Sequence, residues 1–519
     1  MRGDLQRLAE AMGVKLEWPR EDEAILRCPQ DAFREIAGEL ARRMTLSDFF
    51  ATNSSGSKPH LTAIFQAPGE PAWLLVMVEL SSPSFASVTP DIHAASWYER
   101  EIFEMHGVQP VGHPAPGPLR LDQLPVPPAV GRGGGVGVDV LPSPSLPRPR
   151  PSVTGQGVFQ LPLGPVRSGP QESAEFLFAS GGEDIVEVDL RLGFKYRAVE
   201  VLAEGQPMDW ALHLAERMAG TSSFANGLAF TLAAERALGV GVSAACDDTR
   251  VLLAELERLQ SHFGTIGRLA DTTGLLVASA QYGLLREEVL RACGGIAGHR
   301  YLRGVLRVGG MEMLPGPAAR GQLQSQLKGW AVRATGLRRL LEQTATFIDR
   351  LDTTAVLQAD YADEHNLVGP VGRASGVDRD VRRDHPYAAY PTVSLAVPTI
   401  ADGDAEARFQ IFAEEIAQSL SVMAQLLDQW PTSEGEGEGE GVELPVRAGS
   451  ALGWVESPGG ETLTWLELDD EGRVVRWRTR PGSVVNWHPY AHACGSGNNL
   501  TDYPVIEASF SLSVAEFDR

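Results

Sequence analysis

Apolar residues recur along this chain at two spacings, and the spacing changes with position. Near the N-terminus the pattern predicts a helix over 5–12, a strand over 23–28 and a helix over 31–43 with Phe33, Ile36, Leu40 and Ala41 turned inward. Strand-like runs follow at 62–66 and 73–80. Over 183–192, Val186, Val188, Leu190 and Leu192 alternate with charged neighbours, and only Ile185 breaks a half-buried strand pattern. A basic turn at Lys195, Tyr196 and Arg197 then gives way to helical periodicity. The clearest helix is 249–269, where Leu252, Leu256, Leu259, Phe263 and Ile266 make one apolar stripe. Asp247 and Asp248 stand near its start as capping carboxylates. Glu255, Arg258 and His262 occupy another face, and the first two are spaced to pair. Helical patterns also cover 275–291, 320–348 and 405–429, and a strand is expected at 475–479.

Composition divides this pattern into units. Residues 121–163 are crowded with Pro and Gly and read as an extended linker, and the EGEGEGEG run over 434–441 reads as a flexible acidic segment. The expected architecture is α+β: a small α/β domain over 1–120, the linker, and a mainly α-helical domain with a small N-terminal sheet over 164–519. A length of 519 residues exceeds one ordinary core. Net charge of −22 offers no basic footprint for nucleic acid. Cys28, Cys246, Cys293 and Cys494 stand apart, form no Cys-x-x-Cys pair, and are expected to be buried thiols. No signal peptide is expected, and no apolar run reaches the roughly 18–20 residues that span a bilayer.

Several motifs then narrow the reading. Glu99, Arg100, Glu101, Met105, Gly107, Val108, Gly112, His113 and Pro114, with Glu104 in a position where Asp is usual, resemble the signature of the 30 kDa-type subunit of respiratory complex I. That resemblance implies a docking role for the clustered charges and a turn role for His113. Three later stretches resemble the start of the large subunit shared by complex I and membrane-bound [NiFe] hydrogenases of the formate hydrogenlyase and hydrogenase-4 type. They are Gly164-Pro165-Val166-Arg167, the phrase from Arg191-Leu192-Gly193 to Glu204, and Glu216-Arg217-Met218-Ala219-Gly220-Thr221-Ser222. Glu255, Arg258, Ser261 and His262, and the run Val368-Gly369-Pro370 through Arg373, Asp380 and Asp384 to Tyr387, match further family phrases. The resemblance places Arg373, Asp384 and His262 as catalytic candidates, with a well-paired loop or a hydrogen-bonded core histidine as the plainer alternatives.

The same register locates the metal positions. A nickel–iron centre takes four thiolates from two Cys-x-x-Cys pairs. The matching positions here are Ala219, Ser222, Ser513 and Glu516, so no resident nickel or other metal is expected. The positions matching the quinone-contacting His and Tyr of complex I are Gln171 and Gly220, with Arg167, Tyr196, Ser222 and Ser223 as further pocket candidates. The resemblance implies a large subunit of an NADH-quinone oxidoreductase-like or hydrogenase-4-like electron-transfer complex without a nickel–iron centre. It implies quinone-type or ion-pump-coupled redox chemistry, and a peripheral place on the cytoplasmic face of the inner membrane. Implied partners are a small iron–sulfur subunit holding a 4Fe-4S cluster, a ferredoxin-like subunit and antiporter-like membrane subunits. The alternative is an inactive scaffold that docks the iron–sulfur subunit.

Overall fold

The computed structural model describes residues 2–52, 59–67, 69, 72–120, 153, 155–167, 171–430, 440–495 and 497–519. The first sheet has the strand order Lys15–Arg20, Glu23–Arg27, Trp73–Glu79, His60–Gln66, Thr45–Thr52. The pairing of Glu23–Arg27 with Trp73–Glu79 is parallel and the others are antiparallel. One face packs Leu26, Phe49, Phe65, Leu74 and Val76 around Phe33, Ile36 and Leu40 of the helix Phe33–Ala41. The opposite face sends Ile25, Phe50, Ile64, Trp73 and Leu75 into the core of the larger unit. Burial on both faces explains why the stretch over 73–78 is apolar throughout rather than alternating. The Trp73 ring stacks on His385 with centroids 4.4 Å apart and lies 5.5 Å from Trp454.

The larger unit is built on the helices Ser223–Leu238, Ala244–Thr272, Leu276–Ala297, Pro317–Glu342 and Ala405–Asp428. An antiparallel sheet of Gly449–Ser457, Gly460–Leu468 and Val474–Arg480 lies on Ser223–Leu238. Contact is so close that a Cβ at Gly453 would stand 2.4 Å from the Ala229 carbonyl oxygen. The α+β reading holds, but this C-terminal sheet goes beyond the expected small N-terminal one (Phe159–Leu163, Glu175–Ser180, Ile185–Arg191).

Other boundaries differ for local reasons. The long helix begins at Ala244, because the Ser243 hydroxyl accepts from the Cys246 N–H at 3.2 Å, so Asp247 and Asp248 lie inside the helix rather than capping it. The stretch predicted as one helix over 320–348 is two, Pro317–Glu342 and Ala345–Leu351, separated by extended backbone at Thr344. Of the expected linker, 121–152 lies outside the described residues. Its end, Phe159–Leu163, is a strand paired with Glu175–Ser180, because Phe159, Leu161 and Leu163 alternate with Gln160 and Pro162. Residues 434–439 of the acidic segment also lie outside the described residues, whereas Glu440–Gly441 pairs with Gly310–Met311. All four cysteines are free and buried.

The seam between the two units is ionic as well as apolar. Glu101, on the helix Ser96–His106, accepts from Arg120 Nη1 at 2.7 Å, Arg478 Nη1 at 2.6 Å and Arg519 Nη2 at 3.1 Å. Arg478 also grips Asp48 at 3.0 Å, and Arg519 donates to Glu200 at 2.9 Å. Burial alone would raise the Glu101 carboxyl, but the three guanidiniums hold it well below the usual range. The charges around 99–101 therefore pair and dock, and His113 is a turn residue whose Nδ1 accepts from the Ala115 N–H. Removing one member of such a cluster leaves its partners buried and under-compensated. Glu101→Gln is expected to cost about 3–5 kcal/mol, read as a lowered denaturant midpoint. An unchanged midpoint would show that the seam does not rest on this carboxylate.

Candidate functional site

Four elements converge on one buried polar cluster. The helix Ala244–Thr272 supplies Glu255, Arg258 and His262, at spacings of three and four along one face. The helix Ala405–Asp428 supplies Glu415 and Ser419. The short helix Gly369–Ala374 supplies Arg373, and the strand Gly449–Ser457 supplies Glu456. Gly369 has φ +66°, and a Cβ there would stand 2.5 Å from the Gly459 carbonyl oxygen, so only glycine lets this helix abut the Gly459-Gly460 turn.

The contacts are dense. Arg373 reaches Glu415 Oε1 with Nη2 at 2.6 Å and Nε at 3.1 Å, and Glu456 Oε1 with Nη1 at 2.8 Å. His262 Nε2 lies 2.8 Å from Glu415 Oε2. Arg258 donates to Glu255 at 3.2 Å and to the Glu456 carbonyl at 2.7 Å. Arg382 joins Asp380 at 2.7 Å to Glu255 at 3.1 Å, and the Tyr390 and Ser419 hydroxyls complete Glu255. Three guanidiniums thus face four carboxylates, so charge balance calls for one more proton. Burial works against ionisation of every carboxyl here. At Glu255 and Asp380 the arginines overcome it and hold each at about 2, and Arg373 with His262 holds Glu415 well below its usual range. At Glu456 burial wins, reinforced by Asp380, and the carboxyl rises to about 7. Burial also lowers His262, so of the carboxyls in this cluster Glu456 is the one that takes up the extra proton most readily.

Beside this cluster lies a cavity of about 20 Å³ whose lining includes Ser222, Ser261, His262, Ser483, Ser511 and Glu516. The Ser222 hydroxyl donates to the Glu516 carboxylate across it. Burial raises Glu516, with Ser222 and Ser483 opposing. Of the four positions that the sequence resemblance matches to metal ligands, Ser222 and Glu516 therefore meet. Ser513 instead caps the short helix Val514–Phe517, accepting from the Glu516 N–H at 3.3 Å, and Ala219 is a buried methyl. That donor set does not fit a nickel–iron centre, which needs soft thiolates where these positions offer two hydroxyls, a carboxylate and no ligand atom at Ala219. Among the described residues, no three His, Cys, Asp or Glu side chains gather as metal ligands.

The other singled-out residues scatter. Asp384 lies away from the cavity, in a separate cleft of about 570 Å³ with Asp378 and Arg383, because the Val381–Asp384 turn directs it to Arg383 at 2.7 Å. Arg167 is tied to Glu507 and to the Glu172 carbonyl. Tyr196 faces Met105 Sδ at 3.6 Å in the seam. Ser223 donates to the Glu216 carbonyl and accepts from Arg303. Gln171 and Gly220 are exposed and do not line the cavity. Glu415 and Glu456 escaped the sequence reading. The signal for Glu415 was available, since Phe412, Glu415, Ser419 and Val422 share helical spacing and put two polar residues on an apolar stripe.

A carboxyl raised on folding stabilises the fold fully below its unfolded value, and that contribution is lost as pH rises through the folded value. Glu456, at about 7, therefore erodes stability as pH climbs from the ordinary carboxylate range through neutrality. Glu255 and Asp380, at about 2, act oppositely: their contribution is present above the ordinary range and is lost in acid. Glu456→Gln is expected to flatten the decline in urea midpoint between about pH 5 and 8 while leaving the acid limb intact. An unaltered slope would place the proton elsewhere.

Comparison with known proteins gives this architecture its relatives. Residues 26–126 match the family described as "Respiratory-chain NADH dehydrogenase, 30 Kd subunit", and residues 272–447 match its "49 Kd subunit" counterpart. Formate hydrogenlyase subunit 5 of Escherichia coli is 29% identical over 483 residues, covering 87% of this chain and 80% of its own. Hydrogenase-4 component G of the same organism is 29% identical, covering 88% and 80%. An NADH-quinone oxidoreductase subunit from a Roseiflexus species is 28% identical, covering 69% and 98%. A chain of the archaeal membrane-bound sulfane sulfur reductase complex shares the fold, with a TM-score of 0.66 at 23% identity over 71% of this chain and all of that one. This polypeptide thus joins a 30 kDa-type and a 49 kDa-type unit of the respiratory complex I family in one chain.

Proposed function

We propose that this chain is the large subunit of a membrane-associated electron-transfer complex, passing electrons from an iron–sulfur cluster in a small partner subunit toward a quinone-type acceptor, without a nickel–iron centre. Its unit boundaries are 1–120 and 164–519, joined through 121–163. The observation that carries the reading is the Ser222–Glu516 hydrogen bond, which fills the place where the resemblance puts two metal thiolates. The relatives named above are subunits of oxidoreductases and hydrogenases, and an inactive scaffold finds no support among them.

A cavity of about 20 Å³ holds little more than one water, so an acceptor ring would bind outside it. Gly220 and Thr221 are exposed beside Ser222, and Gln171 adjoins Glu172, which accepts from the Ala515 N–H at 3.1 Å. Of these only Thr221 lines the cavity, so its exposed side is where an acceptor would approach. No described helix is long and apolar enough to cross a membrane. Peripheral attachment on the cytoplasmic face through antiporter-like and ferredoxin-like partners follows from the same reading.

Purification of the intact complex tests it. Elemental analysis is expected to find iron from the partner's cluster and no stoichiometric nickel, and a soluble quinone analogue is expected to be reduced. Glu516→Gln and Arg373→Ala are each expected to slow that reduction at least about tenfold, the equivalent of about 1.4 kcal/mol. Stoichiometric nickel, or quinone reduction indifferent to both substitutions, would overturn the proposal.

A further inference from the structure

We propose that His262 is the proton-relay residue of the small cavity, exchanging a proton through one bound water with the Ser222–Glu516 pair while its other nitrogen is held by Glu415. The inference deepens the proposed function and rests on it for the identity of the final proton acceptor, but its geometric basis is separate.

His262 is 1% exposed, and its two nitrogens have different fates. Nε2 meets Glu415 at 2.8 Å. Arg373 holds that carboxylate ionised with two bonds to Oε1, so Nε2 must carry the hydrogen and donate. Nδ1 is then the acceptor of a neutral ring, and it has no partner among the described residues. A buried, unpaired ring nitrogen is costly unless something donates to it. The ring lines the cavity that Ser222, Ser261, Ser483, Ser511 and Glu516 also line. A water needs roughly 10–15 Å³ and two to four polar partners, and this cavity of about 20 Å³ supplies both.

The charges around the ring set the direction of transfer. Glu415 faces it from the helix Ala405–Asp428, Arg258 from its own helix, Arg373 from the helix Gly369–Ala374, and Glu516 from across the cavity. The Phe412 ring meets the imidazole edge-on at 5.0 Å. The Ser222–Glu516 pair and the open Nδ1 lone pair face one cavity, so a proton on the Glu516 carboxyl has an acceptor one water away. In the relay step the carboxyl proton passes to the water as a water proton passes to Nδ1. An imidazolium against Glu415 and a Glu516 carboxylate against Ser222 result, and no electron moves. Reversal returns the proton through the water to Glu516, from which an acceptor bound beside the cavity would draw it. Glu415 is a positioning residue, because it fixes the tautomer without touching the water.

The test uses the full chain labelled with ¹⁵N-histidine, with the His262 resonances identified by their loss in His262→Gln or, should that variant not fold, by their displacement in Glu415→Gln. The expected spectrum is an Nε2–H tautomer whose Nδ1 resonance shifts on Glu516→Gln. An Nδ1–H tautomer, or an Nδ1 resonance indifferent to Glu516→Gln, would overturn the relay, since a purely structural histidine would not sense that carboxyl. In the intact complex, His262→Gln is expected to slow acceptor reduction roughly a hundredfold and to change its pH profile while reduction of the partner's cluster is unaltered. A wild-type complex that reduces no quinone analogue would sink the proposed function but leave the spectroscopic coupling standing. An unchanged pH profile in His262→Gln would sink the relay alone.

Discussion

Charge excluded from water must be paired, and that constraint shapes the centre of this protein more than any apolar contact. Glu255, Asp380, Glu415 and Glu456 would each be expensive to bury alone, as would Arg258, Arg373 and Arg382. Together they bind four separate stretches of chain: the long helix, the helix carrying Glu415, the 369–384 segment and the strand carrying Glu456. Each guanidinium bridges at least two stretches or reaches a backbone carbonyl on another. A hydrophobic replacement of similar volume could give equal stability, so the network is better understood as fixing one arrangement of these elements. The odd carboxylate makes it protonatable without dismantling it, because Arg373 remains satisfied by Glu415 whichever form Glu456 takes.

The seam between the units repeats the device on a smaller scale. Glu101 comes from the 30 kDa-type unit, Arg478 and Arg519 from the larger unit, and Arg120 from the stretch that leads out of the first toward the second. Trp73 adds an apolar contact from the same sheet, stacked on His385. His385 follows directly on the 380–384 turn whose Asp380 belongs to the central network. The first sheet is therefore packed against the loop that holds the charge cluster, and its doubly buried strands are part of the support of the site.

Sequence periodicity reached the elements whose stripes are regular. The long helix, with its Glu255, Arg258 and His262 face, could be read residue by residue, and Arg373 could be placed through its motif. The Gly449–Ser457 and Gly460–Leu468 hairpin could not, because it is buried on both faces and carries Glu456, Ser457, Glu461, Thr462 and Thr464 inside. Polar residues at core positions mimic surface strand or loop in a pattern of apolar and polar positions. The same ambiguity hid Glu456. Asp384 lies beside a different cleft for another reason: only three residues, in one short helical turn, lie between it and Asp380. Asp380 joins the buried network while Asp384 turns to an Arg383 beside a different cleft. Register in a motif fixes the backbone order, whereas the turn decides which side chain faces inward.

At the positions that the sequence resemblance matches to metal ligands, Ser222 and Glu516 border a small cavity with polar groups on its wall rather than a fully packed core, and that distinction bears on function. Had the position merely been vacated, large apolar side chains could fill it at a gain of buried area. Instead serine hydroxyls, a raised carboxyl and the unpaired nitrogen of His262 share the walls with Val371, Phe412 and Phe510. Ser222, Ser483 and Ser511 are hydrogen-bonded within the protein, so the desolvation cost that an occupant would offset falls on His262 Nδ1. Under the proposed reading, an unpaired ring nitrogen facing the same cavity as the Ser222–Glu516 pair gives this position a use in moving protons, and that use calls for no metal at Ala219, Ser222, Ser513 and Glu516.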